Sequence, residues 1–328
     1  MNGTRRNLGQ IALAAIAFAA LSQAANAQPV YPNKPVKLVV PYAPGGSADA
    51  LARLLGQRLT EGWSQQVVID NKPGANGIVG TEFAAKQPPD GYSLYMGTDS
   101  QVAINPSIYA SLPYDWNRDF VPITLLATMT QVLIVPSSLQ VNTVGELIAL
   151  AKSKPGQINY SSIGLGSSPH LAAELFKSQA GVDLVHVPYK SAGQSTTALL
   201  TGEAQVLFTS ESTASPHVKS GRVRALATVG KKRTSASPDL PTLAESGLPD
   251  YEFGTWYALL APTGTPDAVL KKLNSDVARV IDSKEMRAAL LVVGLEPLSS
   301  TPEWLRSHAQ RDLERQSALI KRIGIKPQ

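Results

Sequence analysis

The chain has 328 residues, 43% of them hydrophobic and 17% charged, which excludes disorder as its main state and suggests about two domains. It contains no cysteine, and this excludes disulfides, thiolate metal sites and a cysteine nucleophile. The net charge of +5 is spread along the chain and aromatic residues make up only 6%, so no nucleic-acid partner is expected. The single tight basic cluster, Lys231-Lys232-Arg233, is expected to be a solvated loop.

The first 27 residues read as a secretory signal peptide. Arg5 and Arg6 form its positive region, Leu8 to Leu21 is mostly apolar, and Ala25-Asn26-Ala27 is a cleavage signal that would leave Gln28 as the new N-terminus. The apolar run is shorter than the roughly 20 residues a membrane-spanning helix needs. Thr4-Arg5-Arg6-Asn7-Leu8 also loosely matches a twin-arginine signal, so the export route stays open. The expected location is the periplasm.

Beyond the signal, strands and helices alternate. Val36 to Pro41 is a short β-branched run ending in Tyr42-Ala43-Pro44-Gly45-Gly46-Ser47, and a helix with Leu51, Leu54, Leu55 and Leu59 follows. Val67 to Ile69 is the next strand, then Asn71-Lys72-Pro73-Gly74-Ala75-Asn76-Gly77 and a helix reaching Lys86. Tyr92 to Met96 is a third strand, ending at Gly97-Thr98-Asp99-Ser100. The rhythm resumes with strands at Val132 to Val135, Ile158 to Ser161, Val185 to Val187, Val206 to Phe208, Ala225 to Ala227 and Trp256 to Ala261. Thr143-Val144-Gly145-Glu146 is a capping box, and Thr265-Pro266 and Thr301-Pro302 are helix starts with Thr as the cap. This pattern predicts α/β architecture with a parallel sheet.

Ligands of open α/β sheets sit at the carboxyl ends of the strands. Four strand ends here carry small loops that run into helices: Pro44 to Ser47, Pro73 to Asn76, Gly164 to Ser168 and Lys190 to Gly193. Free N–H groups and the helix dipole make such ends suited to an anion, and they serve equally as plain turns and caps. Enzyme signatures fail. Gly45-Gly46-Ser47-Ala48-Asp49 begins like a nucleophile elbow but has Asp49 at its last position, and Gly74, Gly77 and Gly80 match neither dinucleotide nor P-loop spacing. The four histidines, His170, His186, His217 and His308, have no metal-ligand spacing. His170 is either a ligand contact or a surface residue, and His186 is expected in the core. Asp49 reads first as a helix-start carboxylate favoured by the dipole, with orientation of the Gly45-Gly46 turn as the alternative.

Several stretches together resemble the Bug family, periplasmic solute-binding receptors of tripartite tricarboxylate transporters. They are Tyr31 to Val36, Pro41 to Asp49, Asn71 to Gly77, Pro88-Pro89-Asp90-Gly91-Tyr92, Val187-Pro188-Tyr189-Lys190, Ser237 to Gly247 and Leu260 to Pro266. The resemblance implies an α/β, two-lobed type II periplasmic-binding-protein fold that closes like a flytrap on two crossover segments, near Leu126 to Gln131 and Phe253 to Tyr257. Domain 1 would comprise residues 28–127 and 255–328, and domain 2 residues 128–254.

The resemblance further implies a small carboxylate ligand, whether a dicarboxylate, an acidic amino acid or an aromatic acid, held without a dedicated arginine. In domain 1 its contacts would be Tyr42, Pro44, Gly45, Gly46, Ser47, Asn76, Thr98 and Ser100. In domain 2 they would be Gly166, Ser167, Ser168, His170, Ser191, Gly193 and Gln194. Met129, Thr130, Glu211, Ser212 and Trp256 are candidates for the distal half of the pocket, where an ionised Glu211 would favour an amino or hydroxyl group on the ligand. No cofactor, metal or catalysis is expected. The expected partners are membrane permease subunits, and the protein itself is expected to be a monomer. The alternatives are a ligand-presenting partner of a sensor kinase and an extracytoplasmic hydrolase.

Overall fold

The structure is a computed structural model that describes residues 31–234 and 236–325. The signal peptide expected at residues 1–27 lies outside the described residues. The chain divides into a short N-terminal unit, Met1–Lys34, and the body Pro35–Gln328. No helix among the described residues is long and apolar enough to cross a membrane.

The body is built on two sheets. The first contains β1 (Val36–Val40), β2 (Val67–Asn71), β3 (Ser93–Thr98), β4 (Phe120–Met129), β10 (Thr255–Pro262) and β11 (Glu296–Pro297), in the order β11-β4-β10-β3-β1-β2. The second contains β5 (Gln131–Pro136), β6 (Asn159–Ser162), β7 (Val185–Pro188), β8 (Val206–Ser210) and β9 (Val223–Thr228), in the order β7-β6-β8-β5-β9. Each sheet has a parallel triplet, β2-β1-β3 in one and β7-β6-β8 in the other. Neither is wholly parallel, which corrects the expectation from the strand–helix rhythm. β10 runs antiparallel to β3 and β4, and β5 antiparallel to β8 and β9. The reason is connectivity: β4 passes directly into β5 across Thr130, and β10 brings the chain back from the second sheet to the first.

Helices cover the sheets. Those that matter for the site are α1 (Ser47–Trp63), α2 (Ile78–Ala85), α3 (Val144–Ser153), α4 (Ser168–Ala180), α5 (Ala192–Thr201) and α6 (Glu211–Lys219); α7 (Asp267–Ile281), α8 (Lys284–Val292) and α9 (Pro302–Arg322) follow. In α1, Leu51, Leu55 and Leu59 recur one turn apart and are buried, while Arg53, Gln57 and Arg58 face solvent. β1 is buried along nearly its whole length, as expected of a strand between two helical layers.

Around the first sheet Val39, Tyr95, Phe120, Leu125, Trp256 and Leu305 form one cluster. Around the second, Leu133, Tyr160, Phe176 and Phe208 belong to a larger one that also takes in Ile104, Ile108, Leu319 and Ile320. The end of α9 is therefore packed into the core of the second sheet. The capping box holds in its first half, Thr143 Oγ1 accepting the Glu146 N–H at 3.1 Å, whereas Glu146 reaches back to the N–H of Asn142 at 2.6 Å, one residue before the cap. Thr301 caps α9 through the Trp304 N–H. Thr265 does not cap α7; its hydroxyl donates back to the Pro262 carbonyl and Pro266 occupies the cap position.

Candidate functional site

The carboxyl ends of the two parallel triplets converge on one cavity of about 520 Å³. From β1, β2 and β3 come Tyr42, Gly45 to Ala48, Asn76 and Ser100. From β6, β7 and β8 come Ile163, Ser167 to Pro169, Ala192, Ser195 and Thr209, Ser210, Ser212 and Thr213. Met129, Gln131, Thr255 and Tyr257, on the strands that join the sheets, complete the wall.

The helix starts around this cavity differ in one respect. At α5, Ser191 accepts the Gln194 N–H, and at α6, Ser210 accepts the Thr213 N–H. At α1 and α4 no side chain caps the first turn, and both of these ends open on the cavity. At α4 the Gly166 and Ser167 N–H groups are given to His170 Nδ1 and the Gly164 carbonyl and Pro169 has none, so Ser168 and His170 supply the N–H groups of that turn. At α1 only Gly45 is spent, on Asp49; the dipoles at both ends favour an anion.

The α1 turn is held from behind. Gly45 has φ +93°, in the left-handed region, and donates its N–H to Asp49 at 3.0 Å. Asp49 also accepts from Arg53 at 2.9 Å and Asn71 at 3.1 Å. The Arg53 hydrogen bond outweighs burial and holds the Asp49 carboxyl below its usual range. Asp49 therefore orients the turn, the alternative reading of this residue, beyond any attraction to the dipole.

Tyr42 is similarly fixed: its hydroxyl lies 2.9 Å from Thr98 Oγ1 and accepts from Gln101 Nε2 at 3.0 Å. On the opposite side Ser168 Oγ accepts from Gln131 Nε2 at 2.5 Å and lies 2.9 Å from Thr255 Oγ1, linking the start of α4 to both joining strands. Gln131 Oε1 and Ser195 Oγ are buried without a protein partner.

Eight of the expected contacts line the cavity: Tyr42, Gly45, Gly46, Ser47, Asn76, Ser100, Ser167 and Ser168. The other seven do not. Pro44 is exposed on the turn. Thr98 is buried behind Tyr42, with its N–H and hydroxyl both given to Gln101 Oε1. Gly166 is buried beside Ile108. His170 is neither a surface residue nor a cavity wall: only 4% exposed, it accepts the Gly166 N–H and its ring lies 4.3 Å from that of His186. Burial, with His186 beside it, lowers its pKa to about 4, so it is neutral near pH 7. His186 is half-buried, not fully in the core, and bonds Ser162 at 2.6 Å. Ser191, Gly193 and Gln194 are exposed, and the polar groups of Ser191 and Gln194 are used in capping α5.

In the distal half, Met129 and Ser212 line the cavity. Thr130 and Trp256 point to a second cavity on the other side of the joining strands. Glu211 turns away to accept the Thr234 hydroxyl at 2.9 Å and the Ser237 hydroxyl, which leaves no carboxylate for an amino group on the ligand. Sequence reasoning missed Ile163, Ser195, Leu207 to Ser210, Gln131 and Tyr257. The fold rule that strand ends gather the ligand could have flagged Thr209 and Ser210 directly after the apolar Val206 to Phe208 run.

Among the described residues no charged side chain and no histidine lines the cavity. The cavity presents amide and hydroxyl groups around an apolar patch of Met129, Ile163, Leu207 and Phe208, a lining suited to holding a small polar ligand.

Such a cleft between two α/β lobes, built from strand ends and helix starts, is that of a periplasmic binding protein. Residues 51–325 match the family described as "Tripartite tricarboxylate transporter family receptor", and the chain belongs to that family. It is 35% identical over 97% of its length, and 94% of the relative's, to the UPF0065 protein in the tcbD-tcbE intergenic region of Pseudomonas sp. strain P51. Among solved structures it is similar to R. palustris Rpa4515 with adipate, at TM-score 0.83 and 36% identity over 91% of this chain and all of that one. It is also similar to the periplasmic binding protein BugD, at TM-score 0.78 and 30% identity over 91% and 100%. MatC from Rhodopseudomonas palustris with bound malate has TM-score 0.77 and 28% identity over 88% and 100%. The resemblance to the Bug family is borne out, and family and neighbours are solute-binding receptors.

Proposed function

We propose that this chain is a monomeric periplasmic receptor that captures a small dicarboxylate between two lobes and delivers it to the permease subunits of a tripartite tricarboxylate transporter. The observation that carries the reading is the pair of uncapped helix starts, at Gly46 and Ser167, opening on one uncharged cavity. One carboxylate is held by the free N–H groups of these turns with the hydroxyls of Ser47 and Ser168. Hydrogen bonds to a charged group are the stronger kind, so the absence of arginine is no obstacle. The apolar patch takes the middle of the ligand, and the hydroxyls of Thr209, Ser210, Ser212 and Thr213 take its far end. Adipate on one relative and malate on another agree with this class. With Glu211 turned away, a plain dicarboxylate suits the cavity better than an acidic amino acid.

The lobes would be residues 28–127 with 255–328, and residues 128–254, closing about the two joining strands. A ligand touching both lobes favours the closed form.

The test is thermal stability of refolded, ligand-stripped protein titrated with dicarboxylates, acidic amino acids and aromatic acids. Binding stabilises by about 2.7 kcal/mol at a hundredfold excess over Kd. A saturable rise in melting temperature with a dicarboxylate is expected, together with at least about tenfold weaker binding by a Ser47→Ala, Ser168→Ala variant. Folded protein that responds to no carboxylate overturns the proposal.

A further inference from the structure

Behind the strands that join the two sheets lies a second cavity, of about 740 Å³. Side chains alternate along a strand, and the alternation separates the two faces here. Tyr257 and Gln131 face the carboxylate cleft, whereas Trp256, Thr128 and Thr130 face the opposite side. The rear cavity takes residues from both halves of the molecule, including the Lys231-Lys232-Arg233 cluster and the first turns of α9.

Its walls are of two kinds. On α9, Trp304 is 42% exposed and stacks on His308 with ring centres 4.8 Å apart and planes 11° from parallel. Trp256 meets the same imidazole edge-on at 5.7 Å, and His308 Nε2 is buried with no protein partner. Around this aromatic wall are cations, three from the Lys231–Arg233 loop and Arg315 farther along α9. Lys231 and Arg315 share Glu252, at 3.0 and 3.1 Å, and Arg233 pairs with Glu245 at 2.9 Å. Lys232 makes no ion pair or hydrogen bond among the described residues. Lys231, Arg233 and Arg315 are each paired with a carboxylate, of Glu252, Glu245 and, for Arg315, also Asp312 at 2.5 Å, so Lys232 is the lining cation whose charge is left to meet an anion. A half-exposed indole on a flat imidazole offers a stacking face, which a planar aromatic fills better than an aliphatic chain.

We infer that this rear cavity is a second ligand site, selective for a planar aromatic carboxylate that stacks on Trp304 and sets its charge against Lys232. It shares Met129 and Thr255 with the front cleft, but its recognition groups are separate, so it does not depend on what the cleft binds.

The experiment is calorimetric titration of the full protein with 2-naphthoate, with adipate and neutral 2-naphthamide as controls. It uses wild type, Trp304→Ala, Lys232→Ala and the cleft variant Ser47→Ala, Ser168→Ala, each shown to be folded by circular dichroism. 2-Naphthoate is expected to bind wild type and the cleft variant equally, and about tenfold more weakly with Trp304→Ala or Lys232→Ala. 2-Naphthamide is expected to bind more weakly than the acid. The inference is overturned by any of three results: no 2-naphthoate binding up to about 1 mM, binding lost in the cleft variant but unchanged in Trp304→Ala, or equal binding of acid and amide. Adipate binding is read separately and bears on the cleft alone.

Discussion

The His170 ring lies 4.3 Å from that of His186, tilted by 39°, and is largely buried, so the cost of protonating it falls on the folded state. An imidazole in an unfolded chain titrates near about 6.5, whereas burial brings His170 to about 4. Between these values the unfolded chain binds a proton that the folded one refuses, so stability falls as pH drops through that window, by on the order of 3 kcal/mol. His170→Asn keeps an acceptor near Nδ1 for the Gly166 N–H and is expected to lose most of this acid sensitivity. Urea unfolding at pH 7 and 4.5 checks it; an unchanged pH slope would refute the assignment. Asp99 shows the opposite sign. It is fully buried, neither carboxyl oxygen has a hydrogen-bond partner, and burial followed by nearby Asp312 raises its pKa well above the ordinary value. The folded state keeps the proton that the unfolded state releases, so Asp99 lowers stability as pH rises from about 4. Asp99→Asn is expected to flatten that loss and raise the melting temperature at pH 8. A lower melting temperature at pH 8 than at pH 4.5, relative to wild type at each pH, would contradict it.

The Gly74, Gly77 and Gly80 spacing, which matches no cofactor motif, is explained by how the turn before α2 meets its neighbours. Gly74 and Gly77 have φ of +138° and +84°. A Cβ on Gly80 would lie 2.7 Å from the Lys72 carbonyl oxygen and 2.8 Å from Pro41 Cα, both backbone atoms that cannot step aside. Gly80→Ala is therefore expected to destabilise the fold by about 1–3 kcal/mol, read as a lower urea midpoint with unchanged slope. Gly80 and the Gln101 bridge from Asn76 O to Tyr42 Oη serve one end, holding the first-sheet loops against each other at the cleft. The α1 turn depends on Asp49 in the same way. Asp49→Ala is expected to weaken dicarboxylate binding about tenfold through loss of the Gly45 hydrogen bond, with adipate affinity as the measure and retained affinity as the contrary result.

At the scale of the molecule, β4 and β10 carry the chain from one sheet to the other, and the proposed closure would turn on them. Addition of a bound dicarboxylate is expected to reduce the radius of gyration in solution scattering; identical curves with saturating ligand would remove the flytrap from the proposal. Much of the architecture was legible in the sequence because local forces set it. Short runs, mostly apolar, marked nine strands, the Thr143 and Thr301 caps marked two helix starts, and the glycine- and serine-rich strand ends marked the loops that line the cleft. β4 was not legible: Pro122 interrupts it, its length exceeds its neighbours, and pairing with β10 more than a hundred residues away defines it. The antiparallel strands were hidden for the same reason, since strand direction follows from where the chain returns. Cleft membership divided along the same line. Residue type showed which loops could offer N–H and hydroxyl groups, but long-range packing decided which offered them. It spent Thr98 on Gln101, turned His170 inward against His186, and turned Glu211 toward Thr234 and Ser237. The sequence by itself determined the alternating elements and the chemistry available at their ends, because those depend on neighbours within a few residues. The tertiary structure alone decided which ends face each other, because that depends on contacts between residues far apart in the chain.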